Sequence, residues 1–112
     1  MTNEFKTVDD HLEPIPDSLK KLAEFLERSL DSGASIVMMR HTPDLCTVYL
    51  GDPSGLREEL KQVGSIAIPM ANDMLALTRS GINRMPLDGQ VYRFVRSFTQ
   101  VGDTAAVVFS AD

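Results

Sequence analysis

Apolar and polar residues alternate most clearly in Gly81–Phe109, GINRMPLDGQVYRFVRSFTQVGDTAAVVF. Asp88-Gly89 is a favoured pair for a two-residue type I′ loop, whose twist matches that of paired strands. Such a loop sets Leu87 opposite Gln90, Met85 opposite Tyr92, Arg84 opposite Arg93 and Ile82 opposite Val95. Gly102-Asp103, with glycine first, suits a type II′ loop. It sets Val101 opposite Thr104, Phe98 opposite Val107 and Arg96 opposite Phe109. The predicted unit is a three-stranded meander with Tyr92–Gln100 in the middle. Side chains alternate across a strand, so Tyr92, Phe94, Phe98, Met85, Val107 and Phe109 share one face, which is the expected core face. Ile82, Val91, Val95 and Val108 share the other with Arg84, Arg93, Ser97 and Thr99.

The first half reads differently. Leu19, Leu22, Ala23, Leu26 and Leu30 recur at helical spacing, with Asp17 or Ser18 as cap and Gly33 just past the end. Phe25 widens the buried stripe, and Glu24 and Arg28 are spaced as an i,i+4 ion pair. Ser35–His41 and Leu45–Leu50 alternate as two strands joined through Thr42-Pro43-Asp44. With Pro43-Asp44 as loop centre, His41 pairs with Cys46, Met39 with Val48 and Val37 with Leu50, all on one apolar face. Asp52-Pro53 predicts a short second helix with Leu56, Leu60 and Val63 as its stripe and Gly64 as its end. Ser65–Ile68 reads as a short strand stopped by Pro69. In Asn72–Gly81 the end signals of a helix compete with strict alternation, and extended structure is the expectation. No internal repeat is visible.

These elements predict an α+β fold: a single domain with a mostly antiparallel sheet, built from an N-terminal helix, a β-hairpin, a short helix and a C-terminal β-meander. Helices would cover one face and leave the other partly open. Residues 1–16, acidic and carrying Pro14 and Pro16, read as a flexible tail ahead of a domain over 17–112.

The chain has 112 residues, enough for one domain that buries roughly two-thirds of its unfolded surface without a metal or disulfide. A single cysteine, Cys46, leaves no internal disulfide and suits a reducing compartment. The start, MTNEFKTVDDHLEP, has neither a basic nor an apolar leader segment, and no apolar run approaches the roughly 20 residues of a membrane span. A cytoplasmic protein without membrane contact is therefore expected. The net charge is −5 and unevenly placed. Residues 1–33 hold eight acidic against four basic side chains, whereas residues 74–112 hold four arginines against three aspartates. Overall acidity opposes phosphate-driven binding of nucleic acid.

Candidate chemistry is sparse. Cys46, His41 and Asp44 form the one cluster resembling a nucleophile, a base and an orienting group. The segment DLCTVYL offers none of the settings that activate a thiol, and a buried structural cysteine explains it. Two histidines, His11 and His41, fall short of a structural zinc site. His11, among Asp9, Asp10 and Glu13, reads as solvated. GDPSG at Gly51–Gly55 lacks the lysine and the glycine spacing of nucleotide-binding loops. No metal, cofactor or enzymatic activity is therefore expected.

The arginines carry the remaining signal. Arg84 and Arg93, directly opposed, repel across a ladder unless something anionic sits nearby, and Arg96, a further candidate for binding an anion or partner, lies on the aromatic face or at its rim. Two modest helices can cover only one face of the meander. The leading expectation is a non-enzymatic protein-interaction module, whether binding, adaptor or chaperone-like, with a protein partner or a homodimer on the face of Ile82, Val91, Val95 and Val108. The alternative is a small anion or ligand binder through Arg84 and Arg93. A cysteine-dependent enzyme at Cys46 and His41 comes third.

Overall fold

The computed structural model describes residues 15–112, and the predicted tail falls outside it apart from its last two residues. Those two are not loose. Ile15 packs against the core, and the Pro16 carbonyl accepts hydrogen bonds from the Leu19 and Lys20 N–H groups. Helix α1, Asp17–Ser32, follows. Pro16 occupies the cap position and no side chain caps the helix, so Asp17 and Ser18 do not serve as predicted. Gly33 ends α1 in the left-handed region at φ 68°, where its N–H reaches the Ser29 carbonyl at 2.9 Å. Leu22, Ala23 and Leu26 are buried as expected, and so is Phe25, whose ring lies over Gly64. Leu30, one turn from the end, is exposed. The ion pair on the helix is Lys21 with Glu24 at 3.1 Å. Arg28 turns instead to the Val63 carbonyl, so the expected Glu24–Arg28 pair does not form.

Six strands form one antiparallel sheet: β1 Ser35–Arg40, β2 Leu45–Gly51, β3 Lys61–Ala67, β4 Gly81–Leu87, β5 Gln90–Val101 and β6 Thr104–Ala111. Their order is β3-β2-β1-β6-β5-β4. The C-terminal meander has the register its turns dictate, with Leu87 opposite Gln90, Arg84 opposite Arg93 and Val101 opposite Thr104. Asp88 and Gly89 both take positive φ, 52° and 82°, as a type I′ loop requires. The strand β6, an outer strand of the predicted meander, sits in the middle of the sheet between β1 and β5. It therefore joins the two halves of the chain.

Three expectations for the first half are corrected. In the hairpin, Arg40 stands opposite Cys46, Met38 opposite Val48 and Ile36 opposite Leu50. The register differs by one residue because the loop is longer than Pro43-Asp44. The Thr42 hydroxyl accepts the N–H groups of Asp44 and Leu45, and the His41 N–H bonds the Leu45 carbonyl. A one-residue slip exchanges faces. Ile36, Met38, Cys46 and Val48 therefore face the helices, while Val37 and Met39 lie on the opposite side. The predicted helix after Asp52 is not formed either. The Asp52 carboxylate accepts the N–H and hydroxyl of Ser54, which closes a local turn, and a single 3₁₀ turn follows at Arg57–Glu59. Residues 61–67 are drawn into pairing with β2, with Val63 bulged out between Val48 and Tyr49, so β3 is longer than Ser65–Ile68.

The third correction is α2, Ile68–Leu77, where extended structure was expected over 72–80. Pro69 sits in its first turn, the helix position proline tolerates. The sheet explains the choice. Leaving edge strand β3, the chain must reach the opposite edge, β4, about five strand spacings or roughly 24 Å away. A ten-residue helix covers about 15 Å of this, and the three residues to Gly81 cover the rest. A segment crossing an apolar face must also satisfy its own backbone polar groups, which a helix does and a lone extended chain does not. Ala71 and Met74 point inward and are buried.

Both helices lie on one face of the sheet, over a core centred on Leu22, Ile36, Val48, Met74, Phe94 and Phe109. Phe94 and Phe109 meet edge to face, with centroids 5.7 Å apart. On the second face, the β2–β3 connection folds back over part of the sheet. Leu60 packs with Val37, Met39, Val101 and Ala106, and Arg57 reaches the Val101 carbonyl. That face is therefore covered over β1 and β6 and open over β4 and β5.

Candidate functional site

The open part of the second face is built by the Asp88-Gly89 hairpin. In a two-residue hairpin the pair flanking the turn is hydrogen-bonded, and pair types alternate from there. Ile82–Val95, Arg84–Arg93 and Pro86–Val91 consequently fall at non-hydrogen-bonded positions, where facing side chains come closest. All three pairs point to the same side. Ile82 is 56 % exposed, Val91 is 49 % exposed, Val95 is half-buried, and Arg84 and Arg93 are both exposed. The result is a small surface of four apolar side chains with two arginines across its waist. Pro86 removes an N–H that would point away from β5, so the β4 edge is blunted against a further strand.

Two residues counted among the binding candidates from the sequence are engaged elsewhere. Val108, on central strand β6, is 3 % exposed, because it lies toward the covered half of that face. Arg96 lies on the helix side. Its Nη1 donates to the Leu75 carbonyl at 2.8 Å, the Thr78 carbonyl at 3.1 Å and the Thr78 hydroxyl at 2.9 Å. It thus caps the C-terminus of α2, whose last carbonyls have no partner within the helix. Arg79 is also used locally, with its Nε on the Ile82 carbonyl and its backbone held by the Asn83 side chain. Nothing in the spacing of residues announced these caps, because the arginine and the helix end it serves are 18 or more residues apart.

The Cys46 cluster does not assemble. Cys46 is buried on the helix-covered face, opposite Arg40. His41 is exposed in the loop beyond β1, and Asp44 is exposed there too, with its carbonyl taking the Ile68 N–H. Burial pushes the Cys46 thiol above its ordinary value, and the Arg40 guanidinium offsets this in part. Phe98, expected in the core beside Phe94, is 60 % exposed. Strand β5, at 12 residues, outruns the cover that the helices provide. The Arg96 guanidinium lies against its ring, 5.5 Å from the centroid.

Phe98 stands at the mouth of a groove of ≈ 340 Å³ between α2 and one end of the sheet, with Met38, Cys46 and Val107 along the floor. A second opening of ≈ 300 Å³ lies beside Tyr92 and is lined by Glu24, Glu27 and Asp88 with Lys20. There Tyr92 donates to the Glu27 carboxylate at 2.7 Å, which raises the Tyr92 pKa.

Among the described residues, no group of three or more His, Cys, Asp or Glu side chains is placed to hold a metal ion. The sequence cluster around His11 lies outside the described residues. No described helix is long and apolar enough to cross a membrane. No protein-family model, curated protein or solved structure matches the chain.

Proposed function

We propose that the chain is a protein-interaction module whose contact surface is the open face of β4 and β5. The observation that carries this reading is the exposure of Ile82 and Val91 on either side of the Arg84–Arg93 pair. Apolar side chains grouped on one exposed face, with arginines among them, match the composition of interface cores. The partner fitting this surface is another protein presenting apolar groups around carboxylates, which arginine's planar fork receives in pairs. Self-association on this face is disfavoured. A twofold dimer brings each patch against its own copy, so Arg84 and Arg93 of both subunits would crowd one interface.

The test is affinity capture from the native cell extract with wild-type, Arg84→Glu/Arg93→Glu and Ile82→Asp chains as bait. A partner held by the wild type and lost with both variants, while an Arg79→Glu control retains it, supports the reading. Capture that is identical with the variants removes it. Sedimentation at high protein concentration should show a monomer.

A further inference from the structure

We propose that the groove between α2 and the end of the sheet binds a small amphiphilic carboxylate, with its alkyl or aryl chain on the apolar floor and its carboxylate on Arg40. The site is independent of the β4–β5 surface and lies on the opposite face. Its volume of ≈ 340 Å³ falls at the lower end of the roughly 300–1,000 Å³ typical of small-molecule sites. Met38, Val107 and Cys46 from the sheet meet Ile68, Ala71 and Leu75 from the helix segment, so the interior is apolar.

Arg40 is the charged residue of the lining, and Asn72 on α2 adds an amide. Arg40 ends β1 on the helix-covered side, directly opposite Cys46, and is exposed. It takes part in no salt bridge among the described residues. A guanidinium at the lip of an apolar groove, with no carboxylate among the described residues engaged, selects an anion. Its fork geometry favours a planar carboxylate. The contrast with the opening beside Tyr92 is instructive, since three acidic side chains there repel the same ligand. Phe98 adds the second half of the case. A large aromatic side chain left 60 % exposed at the rim is covered when an apolar chain enters.

The probe is decanoate, titrated by calorimetry into the full chain below its micellar range, with decanol and decyltrimethylammonium as neutral and cationic counterparts. Saturable binding of decanoate is expected, with Cys46 on the floor protected by it from a thiol reagent. Arg40→Gln should weaken decanoate about tenfold, the loss of one charged contact, and leave decanol unchanged. Ala105→Phe, from an exposed position at the rim, should abolish both and leave the urea midpoint in place. Absence of saturable binding overturns the proposal. So does decanoate binding that is indifferent to Arg40→Gln or to Ala105→Phe, or a cationic counterpart that binds as well.

Discussion

Replacing Arg96 tests whether the fold depends on the cap it makes. Its Nη1 serves the Leu75 carbonyl in α2's last turn and the carbonyl and hydroxyl of Thr78 just after it, and its Nη2 lies 3.4 Å from the Ser80 hydroxyl. Arg96→Met keeps much of the side-chain stem and removes every one of these bonds. A hydrogen bond to a charged group contributes about 1.5–3 kcal/mol, but bonds sharing one guanidinium are not additive. A cation at a partly buried helix C-terminus adds up to about 2 kcal/mol. Against this, the buried Arg96 Nε has no partner among the described residues, and its removal relieves a cost of about 1–3 kcal/mol. The net expectation is a loss of roughly 1–2 kcal/mol, a sizeable share of the 5–15 kcal/mol of a typical domain.

Urea unfolding followed by circular dichroism measures it, with an unchanged denaturant slope confirming that the native state is compared with the same unfolded state. Arg96→Lys should fall between the two, since one ammonium can reach one or two of these acceptors. Arg84→Met and Arg93→Met, whose side chains are exposed, should stay within about 0.5 kcal/mol of the wild type. If Arg96→Met also stays within that margin, the cap contributes nothing net, and the helix end is solvated at no cost.

Two further predictions rest on burial. Phe94→Ala should cost about 3–5 kcal/mol, because Phe94 is fully buried against Phe109, whereas Phe98→Ala on the same face should cost no more than about 1 kcal/mol; equal effects in urea unfolding would contradict the exposure of Phe98. Cys46 should react with iodoacetamide more slowly than a free thiol, with a pH midpoint above the ordinary 9.0, since burial favours its protonated form. The folded chain then holds that proton more tightly than the unfolded one, so stability falls as pH rises past 9.0, and Cys46→Ala should remove this part of the alkaline loss.

The meander was legible because its information is local. Asp88-Gly89 and Gly102-Asp103 each determine a turn, a turn determines a register, and a register assigns every side chain to a face. The first half was less so for the same reason. In Thr42-Pro43-Asp44 the proline and aspartate suggest a two-residue loop, yet the threonine hydroxyl stabilises a longer one, and one residue of slip was enough to exchange the Val37 and Ile36 faces. Asp52-Pro53 carries a helix start signal that the Asp52–Ser54 turn satisfies equally well, and pairing of 61–67 with β2 decided between them. The residues of α2 carry both helix end signals and strand alternation. What decides between them is the crossing between two edge strands adjacent in sequence and opposite in space, where a helix satisfies its own backbone polar groups.

The same distinction sorts the arginines, and with them the candidate surface. Four arginines follow residue 74 in an acidic chain, and composition alone treats them as one group. In the fold they separate into two kinds. Arg96 caps α2, and Arg79 bonds the Ile82 carbonyl in the loop that α2 leads into, so both serve the crossing from β3 to β4. Among the described residues, the Arg84 and Arg93 side chains make no hydrogen bond or ion pair. They stand opposite each other at a closest-approach pair on an exposed face, where like charges cost stability. A fold gains nothing from that arrangement by itself. An acidic partner would turn the same repulsion into binding, because its carboxylates relieve it, and that gives the proposed contact surface an electrostatic requirement as well as an apolar one.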